Sequence, residues 1–210
     1  MYRPAYTQEK DKKQLCELVE NYPFVTVISA EHGGDTQVTH LPVICEIQNN
    51  EIISIRGHIA KANPHYQTLL TNQKVKLIFH GPHLYVSPLW YKSGRDVPTW
   101  NYAVVHVEGN LQLEPEFDKI CKNLVELSRK FEGDNGWKFF LPEDLKSPEI
   151  LMKAITAFVV KPTQITAKFK LNQNRPQIDQ IGVIEALENN PDVFANEILK
   201  LMKQNLKLES

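Results

Sequence analysis

The chain has 210 residues, 42% of them apolar and 23% charged, with a formal net charge of −1. This composition is typical of a packed globular protein, is too apolar for a disordered one, and argues against a strongly basic nucleic-acid-binding surface. Because no run of about 18 apolar residues occurs and the N-terminus lacks an apolar core, we expect a cytoplasmic protein with no membrane span and no signal peptide.

The first part of the chain is predicted to form one helix and then several strands. Apolar spacing predicts the helix over Lys10–Asn21, and Pro23 ends it. Alternating apolar residues predict strands at Phe24–Ala30, Thr36–Ile47 (interrupted at Pro42), Glu51–His58 and Lys74–Phe79. A short helix is predicted between the last two strands, over Ile59–Asn72, with Pro64 near its first turn.

The second part begins with a predicted turn at Gly81-Pro82. The elements predicted after it are a strand at His83–Ser87, a loop to Pro98, a strand at Trp100–Glu114, an amphipathic helix from Phe117 to Phe131, a short helix near Pro148–Ala154, strands at Ala157–Lys161 and Ile165–Lys170, and helices at Ile178–Glu188 and Pro191–Asn205. For the last helix, Asn190 is the predicted N-cap.

Most predicted strands are joined by short turns, which favours a largely antiparallel sheet. Since closing such a sheet removes its edges, we expect a mainly β, α+β fold: a β-barrel with peripheral helices and a C-terminal helical pair. An open α+β sandwich is the alternative.

No metal site and no familiar catalytic motif is expected. All seven histidines lie between His32 and His106, but their spacing does not match that of metal ligands. Glycine-rich phosphate loops, dinucleotide fingerprints and nucleophile elbows are missing from the sequence. The three cysteines, Cys16, Cys45 and Cys121, are predicted to be reduced and mostly buried.

One polar segment suggests a phosphate site. A predicted strand ends at His58 and a predicted helix follows, with Lys61 in its first turn. Helix N-termini offer free backbone N–H groups to anions, and His58, Lys61 and Arg56 would add positive charge. The alternative is that Lys61 is a solvated helix residue and His58 a turn residue.

A second segment suggests a surface for a flat ligand. Trp90, Tyr91, Trp100 and Tyr102 lie within 13 residues, and polar residues stand beside them. Those polar residues are Ser87, Thr99 and Asn101. Aromatic faces stack on flat rings, so the two segments together suggest a phosphorylated heteroaromatic ligand. The alternative is a packed loop that covers one end of a barrel.

Seven short segments, in order along the chain, resemble the PaiB-like family, which is described as FMN-binding negative transcriptional regulators. They are Tyr2-x-Pro4, Tyr22-Pro23-Phe24, Thr39-His40-Leu41-Pro42, Gly57–Pro64, Phe79–Tyr91, Pro98-Thr99-Trp100-Asn101-Tyr102 and Lys170–Arg175. The family usually has Ser where Asn172 stands, and Asn can also donate and accept hydrogen bonds.

The resemblance implies a split β-barrel related to pyridoxamine 5′-phosphate oxidase, with residues 1–175 binding FMN at a homodimer interface. Residues 176–210 would be a helical extension packed on the barrel or on the dimer interface. His58, Lys61 and Arg175 would hold the FMN phosphate, Thr39, His40 and Leu41 would follow the isoalloxazine edge, and Trp100 and Asn101 would close the pocket. The remaining expected cofactor-binding residues are Asn63, Ser87, Trp90, Tyr91 and Thr99.

The resemblance also implies a regulatory role, but the route to DNA is open. From Pro176 to Ser210 the predicted helical tail carries three lysines against six acidic residues, which makes a poor surface for DNA. Direct DNA binding is therefore only an alternative. A flavin-dependent oxidoreductase acting on an unknown small molecule and a haem-handling split-barrel protein also stay open, and whether the chain is an enzyme is undecided.

Overall fold

The structure of the protein is a computed structural model, and it describes residues 1–30, 33–94, 97–133 and 152–208. The strands are β1 (Gln8–Glu9), β2 (Phe24–Ala30), β3 (Thr36–Pro42), β4 (Ile44–Gln48), β5 (Glu51–Ala60), β6 (Lys74–Val86), β7 (Thr99–Glu114) and β8 (Ile155–Lys170). The helices are α1 (Lys12–Asn21), α2 (Pro64–Thr71), α3 (Phe117–Glu132), α4 (Gln177–Leu187) and α5 (Ala195–Leu206).

The strands form one mainly antiparallel sheet, as predicted. Their order is β3-β2-β6-β7-β8-β5-β4, and β1 pairs with β8 through Gln8↔Lys168. The order starts at β3 and ends at β4, so pairing among the described residues does not close the sheet. The β2–β3 hairpin follows the predicted alternation, which buries Val25 and Val27 and leaves Phe24 exposed.

Two predicted interruptions are wrong because proline and glycine lie inside long strands. Gly81 and Pro82 are consecutive buried residues within β6, so the inside–outside alternation shifts there without a turn. Likewise β8 continues through Pro162, where two separate strands were predicted. Proline is tolerated in a strand at an edge or an irregularity, so it does not always end one.

Two helix starts are also corrected. Strand β5 continues to Ala60, and α2 begins only at Pro64, with Asn63 as its N-cap. The last helix begins at Ala195, because Asn190 accepts a hydrogen bond from the backbone of Asp192 in a turn instead of capping a helix. Most of the short helix predicted near Pro148–Ala154 lies outside the described residues.

The chain divides into two compact units, and each is discontinuous in sequence. The terminal unit contains Met1–Asp11, His80–Val105 and Thr166–Ser210, and the central unit contains Lys12–Phe79 and His106–Ile165. The predicted division at residue 175 stays a prediction.

Each unit has its own buried apolar residues. In the terminal unit they include Phe169, Leu171, Val183, Leu187 and Ile198. In the central unit they include Leu77, Phe79 and Phe158, and α3 packs through Ile120 onto Met152 and Ala157. Within the described ranges, none of the helices has the length and apolar content that a membrane span needs.

Candidate functional site

The aromatic loop, residues 87–94 of the terminal unit, is held in place by helix α4. Ser87 caps a single helical turn at Pro88–Trp90 by accepting a hydrogen bond from the Leu89 backbone. Farther along, Lys92 Nζ lies 2.6 Å from Glu185 Oε1 on α4. The start of the loop is therefore shaped by its own cap, and its end is attached to α4.

The strongest attachment is between Ser93 and the buried carboxylate of Asp179. The backbone N–H and the hydroxyl of Ser93 donate to the two carboxylate oxygens, each at 2.7 Å. The Ser93 hydroxyl and then its backbone N–H hold the pKa of the Asp179 carboxyl below its ordinary value. Because both carboxylate oxygens accept hydrogen bonds, Asp179 holds the loop in place and is not a free acid or base.

Close backbone packing also joins the loop to α4. Gly182 is buried, and a Cβ built on it would lie 2.2 Å from the Trp90 carbonyl oxygen. Only glycine allows the helix to approach the loop backbone this closely. This glycine therefore fixes the distance between α4 and the loop segment that carries Trp90 and Tyr91.

The predicted residues Tyr91 and Arg175 lie together. The Tyr91 side chain is buried, its hydroxyl oxygen accepts a hydrogen bond from Asn172 Nδ2 at 3.3 Å, and the Arg175 guanidinium lies 5.3 Å from its ring centroid. Asn172 has a left-handed backbone, with φ of 63°, which Asn tolerates better than most residues. Tyr91 therefore acts as an anchor beneath the loop and not as an exposed stacking surface.

An aromatic pocket of about 360 Å³ lies on the terminal unit. It is lined by His80, Gly81, His83, Trp100, Tyr102, Ala103 and Val104. Trp100 is 52% exposed and its ring centroid lies 6.3 Å from that of Tyr85, which it meets edge to face. Exposed aromatic rings around a concave surface suit the face of a flat ligand.

Two lysines of β8 lie beside the aromatic residues of this unit. Lys168 is buried, and its Nζ lies 5.3 Å from the ring centroid of Tyr102. Lys170 Nζ donates to the Thr99 hydroxyl oxygen and, at 2.8 Å, to the Trp100 carbonyl oxygen. The terminal unit therefore offers both an aromatic surface and positive charge.

In the central unit, the predicted residues Thr39 and Asn63 belong to one hydrogen-bonded network. Asn63 Nδ2 donates to Thr39 Oγ1 at 3.1 Å, and Thr39 Oγ1 lies 2.9 Å from His65 Nδ1. On the other side of the His65 ring, Nε2 lies 2.8 Å from the Ser29 hydroxyl oxygen. Burial lowers the pKa of His65, so its neutral form, which donates from one nitrogen and accepts at the other, links α2 to strands β2 and β3.

The N-terminus of α2 does not present free donors to a phosphate. The His65 N–H donates to Asn63 Oδ1, the Tyr66 N–H donates to the Asn63 carbonyl, and Pro64 has no N–H. The N–H of Lys61 donates to the Ala154 carbonyl. The helix start that the sequence suggested for phosphate binding is therefore already satisfied within the chain.

The two other positive groups of that segment also have protein partners. His58 Nδ1 lies 3.0 Å from Asn123 Oδ1 on α3. Arg56 lies 3.1 Å from a Glu126 oxygen and 3.5 Å from a Glu46 oxygen. A phosphate role for His58 and Lys61 stays a prediction.

The remaining predicted residues differ in exposure. His40 is exposed and stacks on Phe24 with ring centroids 6.4 Å apart, whereas Leu41 is buried in the core. Asn101 is fully buried and donates through Nδ2 to the Met202 sulfur at 3.5 Å, so its side chain lies on the face of β7 opposite the exposed Trp100. Cys16 is buried, Cys45 and Cys121 are half-buried, and burial raises the pKa of Cys45 to about 12.

Sequence reasoning missed Lys168, Lys170, Tyr102 as a cation partner, and His65. The lysines have a signal in the sequence: they alternate with Ala167, Phe169 and Leu171, which puts both on one face of the strand. His65 has no comparable signal, because its partners Ser29 and Thr39 are distant along the chain.

The architecture places the protein among the split-barrel proteins. A solved structure of the flavocytochrome Anf3 from Azotobacter vinelandii superposes with a TM-score of 0.62 and 14% identity, covering 81% of this chain and 72% of that one. The FAD and haem binding protein from Mycobacterium smegmatis superposes with a TM-score of 0.58 and 13% identity, covering 78% of this chain and 73% of that one. At these identities the likeness shows the fold alone.

The chain belongs to the PaiB-like family of FMN-binding proteins. Residues 1–164 match the family model described as "Putative FMN-binding domain". The chain is 35% identical over 99% of both lengths to the Protease synthase and sporulation protein PAI 2 of Bacillus subtilis, and 27% identical to an uncharacterised protein of Emericella nidulans, over 90% of this chain and 91% of that one. The split-barrel fold and FMN as the cofactor, both expected from the resemblance, are thereby confirmed.

The residues of the terminal unit fit such a cofactor. Trp100 and Tyr102 present aromatic rings at a concave surface, and Lys168 and Lys170 supply positive charge beside them. An aromatic surface with adjacent cations is the chemistry that a flat ring bearing a phosphate requires. FMN supplies a redox-active ring when bound, while these residues can stack on a ring, orient it and balance a negative charge.

Proposed function

We propose that this chain is a cytoplasmic FMN-binding regulator of the PaiB type that works as a homodimer. The observation that carries the proposal is the 35% identity to the PAI 2 protein across 99% of both chains. The name of that relative refers to protease synthesis and sporulation, which motivates a role in controlling gene expression.

The flavin ring would lie against the aromatic pocket of the terminal unit. Trp100 is half-exposed there, and its neighbour Thr99 is held by Lys170. Among the predicted cofactor-binding residues, Trp100 has the geometry best suited to stacking. Tyr91, Asn101 and Arg175 would support the pocket from beneath or beside it.

An FMN titration of the purified protein tests this placement. We expect FMN absorbance and fluorescence to change on binding, and Trp100→Ala to weaken FMN binding roughly two- to twelvefold, because aromatic pairs contribute about 0.5–1.5 kcal/mol. Ile178→Ala is the matched control, since Ile178 is 53% exposed in the same unit and its loss removes apolar surface without removing a ring. Equal FMN affinity in both variants would contradict the placement.

The homodimer is supported by exposed apolar side chains on the terminal unit. Tyr85, Leu89, Trp100 and Val193 are 47%, 91%, 52% and 82% exposed. Clusters of large exposed apolar residues are typical of interaction surfaces. Light scattering of the FMN-loaded protein should give twice the 24.2 kDa chain mass, and a monomer at micromolar concentration would refute the dimer.

We propose that regulation does not use the tail helices to read DNA. Helix α4 buries Val183, Ile184 and Leu187, and α5 buries Ile198 and Met202, so both are packing elements. Gel retardation with promoter DNA at increasing salt tests direct binding. Sequence-selective retardation lost in Lys200→Glu, on the exposed side of α5, would refute this part of the proposal. Bleaching of bound flavin by NADPH with turnover of an acceptor would favour the oxidoreductase alternative.

A further inference from the structure

Lys168 is an unusual residue because it is charged and only 8% exposed. Its Nζ lies 5.3 Å from the ring centroid of Tyr102 and 5.6 Å from that of Tyr2. No carboxylate forms an ion pair with it among the described residues. Both contacts are with faces of aromatic rings, which attract a cation but do not neutralise its charge.

Lys170 lies two residues along β8, is half-buried, and also has only neutral partners among the described residues. Residues two apart in a strand project to the same face, so the two ammonium groups are neighbours. Lys170 Nζ donates to the Thr99 hydroxyl and the Trp100 carbonyl, which are both neutral acceptors. Burial, and next the charge of Lys168, lower the pKa of Lys170.

Two neighbouring ammonium groups repel each other, and an anion bound between them would offset that repulsion. Of the other described lysines of this unit, Lys92 pairs with Glu185 and Lys203 with Glu188, while Lys10, Lys200 and Lys207 are exposed to solvent. Lys168 and Lys170 have neither a carboxylate partner among the described residues nor full exposure to solvent. This contrast suggests that the anion that pairs with them is not part of the chain.

The position of the pair indicates what the anion is attached to. Tyr102, which lies under Lys168, also lines the aromatic pocket. Trp100 contributes its ring to the pocket and its carbonyl oxygen to Lys170. A ligand whose ring occupies the pocket can therefore bring an anionic group, attached to that ring directly or through a side chain, close to the two lysines.

We propose that Lys168 and Lys170 form an anion-binding site for the phosphate or carboxylate of a planar ligand whose ring lies in the aromatic pocket. The anion has two sources: the phosphate of FMN itself, or a separate aromatic anion that the protein senses or uses. The first source rests on the proposed function, whereas the second does not require it.

Binding assays with three probes distinguish the sources. FMN and riboflavin differ only in the phosphate, and phenyl phosphate carries an anion on a small ring. The variants are Lys168→Met and Lys170→Met, singly and together, because Met keeps the apolar stem and removes the charge. Lys200→Met is the matched control, since it removes an equal charge from an exposed position of the same unit.

If FMN supplies the anion, the double variant binds FMN at least tenfold more weakly and riboflavin unchanged, while Lys200→Met binds both as the wild type does. If a separate ligand supplies it, FMN affinity is unchanged, and stabilisation of the flavin-free protein by millimolar phenyl phosphate is lost in the double variant. His58→Ala with Lys61→Ala, measured in parallel, reports whether the FMN phosphate depends on the central unit instead.

Equal responses of the wild type and the double variant to all three probes would overturn the proposal. Failure of FMN to bind the wild-type protein would instead refute the proposed function, and phenyl phosphate binding to the flavin-free protein would still decide the lysine pair. A further readout separates binding from structure: without ligand, Lys168→Met should raise the melting temperature. A fall in melting temperature without any loss of anion binding would show that Lys168 serves the fold alone.

Discussion

Gly182 offers a sharp test of how helix α4 controls the aromatic loop. In Gly182→Ala the new Cβ would lie 2.2 Å from the Trp90 carbonyl oxygen, whereas ordinary contacts begin at 3.4 Å. The obstacle is backbone, so it cannot rotate away as a side chain would. The second contact, Lys92 Cγ at 3.1 Å, is part of a flexible side chain and can give way.

The expected cost follows from two opposing effects. Alanine is favoured over glycine within a helix by about 0.5–1 kcal/mol. Overpacking a well-filled contact costs about 1–3 kcal/mol, and we expect the upper part of that range because the clash is with backbone. The net loss of unfolding free energy is roughly 1–2 kcal/mol, which lowers the melting temperature of a chain of this size by about 2–8 °C.

Thermal unfolding by circular dichroism and an FMN titration measure the two consequences. We expect Gly182→Ala to melt earlier and to bind FMN more weakly, because the displaced loop carries Trp90 and Tyr91. In the Lys92→Ala background, Gly182→Ala should lower the melting temperature by the same amount. Lys92→Ala removes only the contact with the flexible side chain and leaves the clash with the Trp90 carbonyl. A melting temperature equal to or above that of the wild type would show that helix propensity outweighs the close approach, and the reasoning would be wrong.

Three further changes test the fastenings of the two units. The pKa of Asp179 is lowered by Ser93, so its contribution to stability is present above the unfolded pKa of about 3.9 and is lost as the pH falls through the folded value. Asp179→Asn should therefore melt earlier than the wild type at pH 7 and approach it at pH 2 to 3 in calorimetry. The pKa of His65 is lowered by burial, so the wild type should lose stability as the pH falls below about 6.5, and His65→Gln should lack this pH dependence while costing about 1–3 kcal/mol at pH 7 in urea unfolding. Asn172→Ala should cost roughly 2 kcal/mol, because it places a β-carbon residue in a left-handed conformation and removes the hydrogen bond to Tyr91, and Asn172→Gly should recover the backbone part. Equal urea midpoints for the two Asn172 variants would contradict the backbone argument.

The sequence predicts an element well where one local pattern decides it. Strand Phe24–Ala30 is found at its predicted bounds, since its strict alternation matches a half-buried hairpin. The turn predicted at Gly81-Pro82 is wrong because the same dipeptide can lie in a strand irregularity when neighbouring strands support it. Which of the two occurs depends on pairing partners far away in the chain, and no local pattern contains that information.

In the candidate site, too, features set by a local pattern were predicted, and features set by distant contacts were not. The aromatic residues are visible in the sequence because Trp100 and Tyr102 stand close together, whereas the supports of the loop are not. Asp179 lies 86 positions from Ser93, and no local sequence pattern in either segment predicts the hydrogen bonds between them. The prediction of a phosphate site at Lys61 assumed that a helix begins at Ile59. In the structure β5 continues to Ala60, and the helix begins only at Pro64.

The composition of the terminal unit has a consequence for how the protein is made. Its strand β1 pairs with β8, so β1 has no partner until β8 has been synthesised. Until then the N-terminal segment lacks β8, the aromatic loop lacks α4, and their apolar surfaces are open to aggregation. We expect the central unit to gain structure earlier in translation and the terminal unit to form only after β8, α4 and α5 have been synthesised. Cells short of chaperones or grown at high temperature should accordingly accumulate this protein as aggregates, and slowing translation near the C-terminus should worsen its yield.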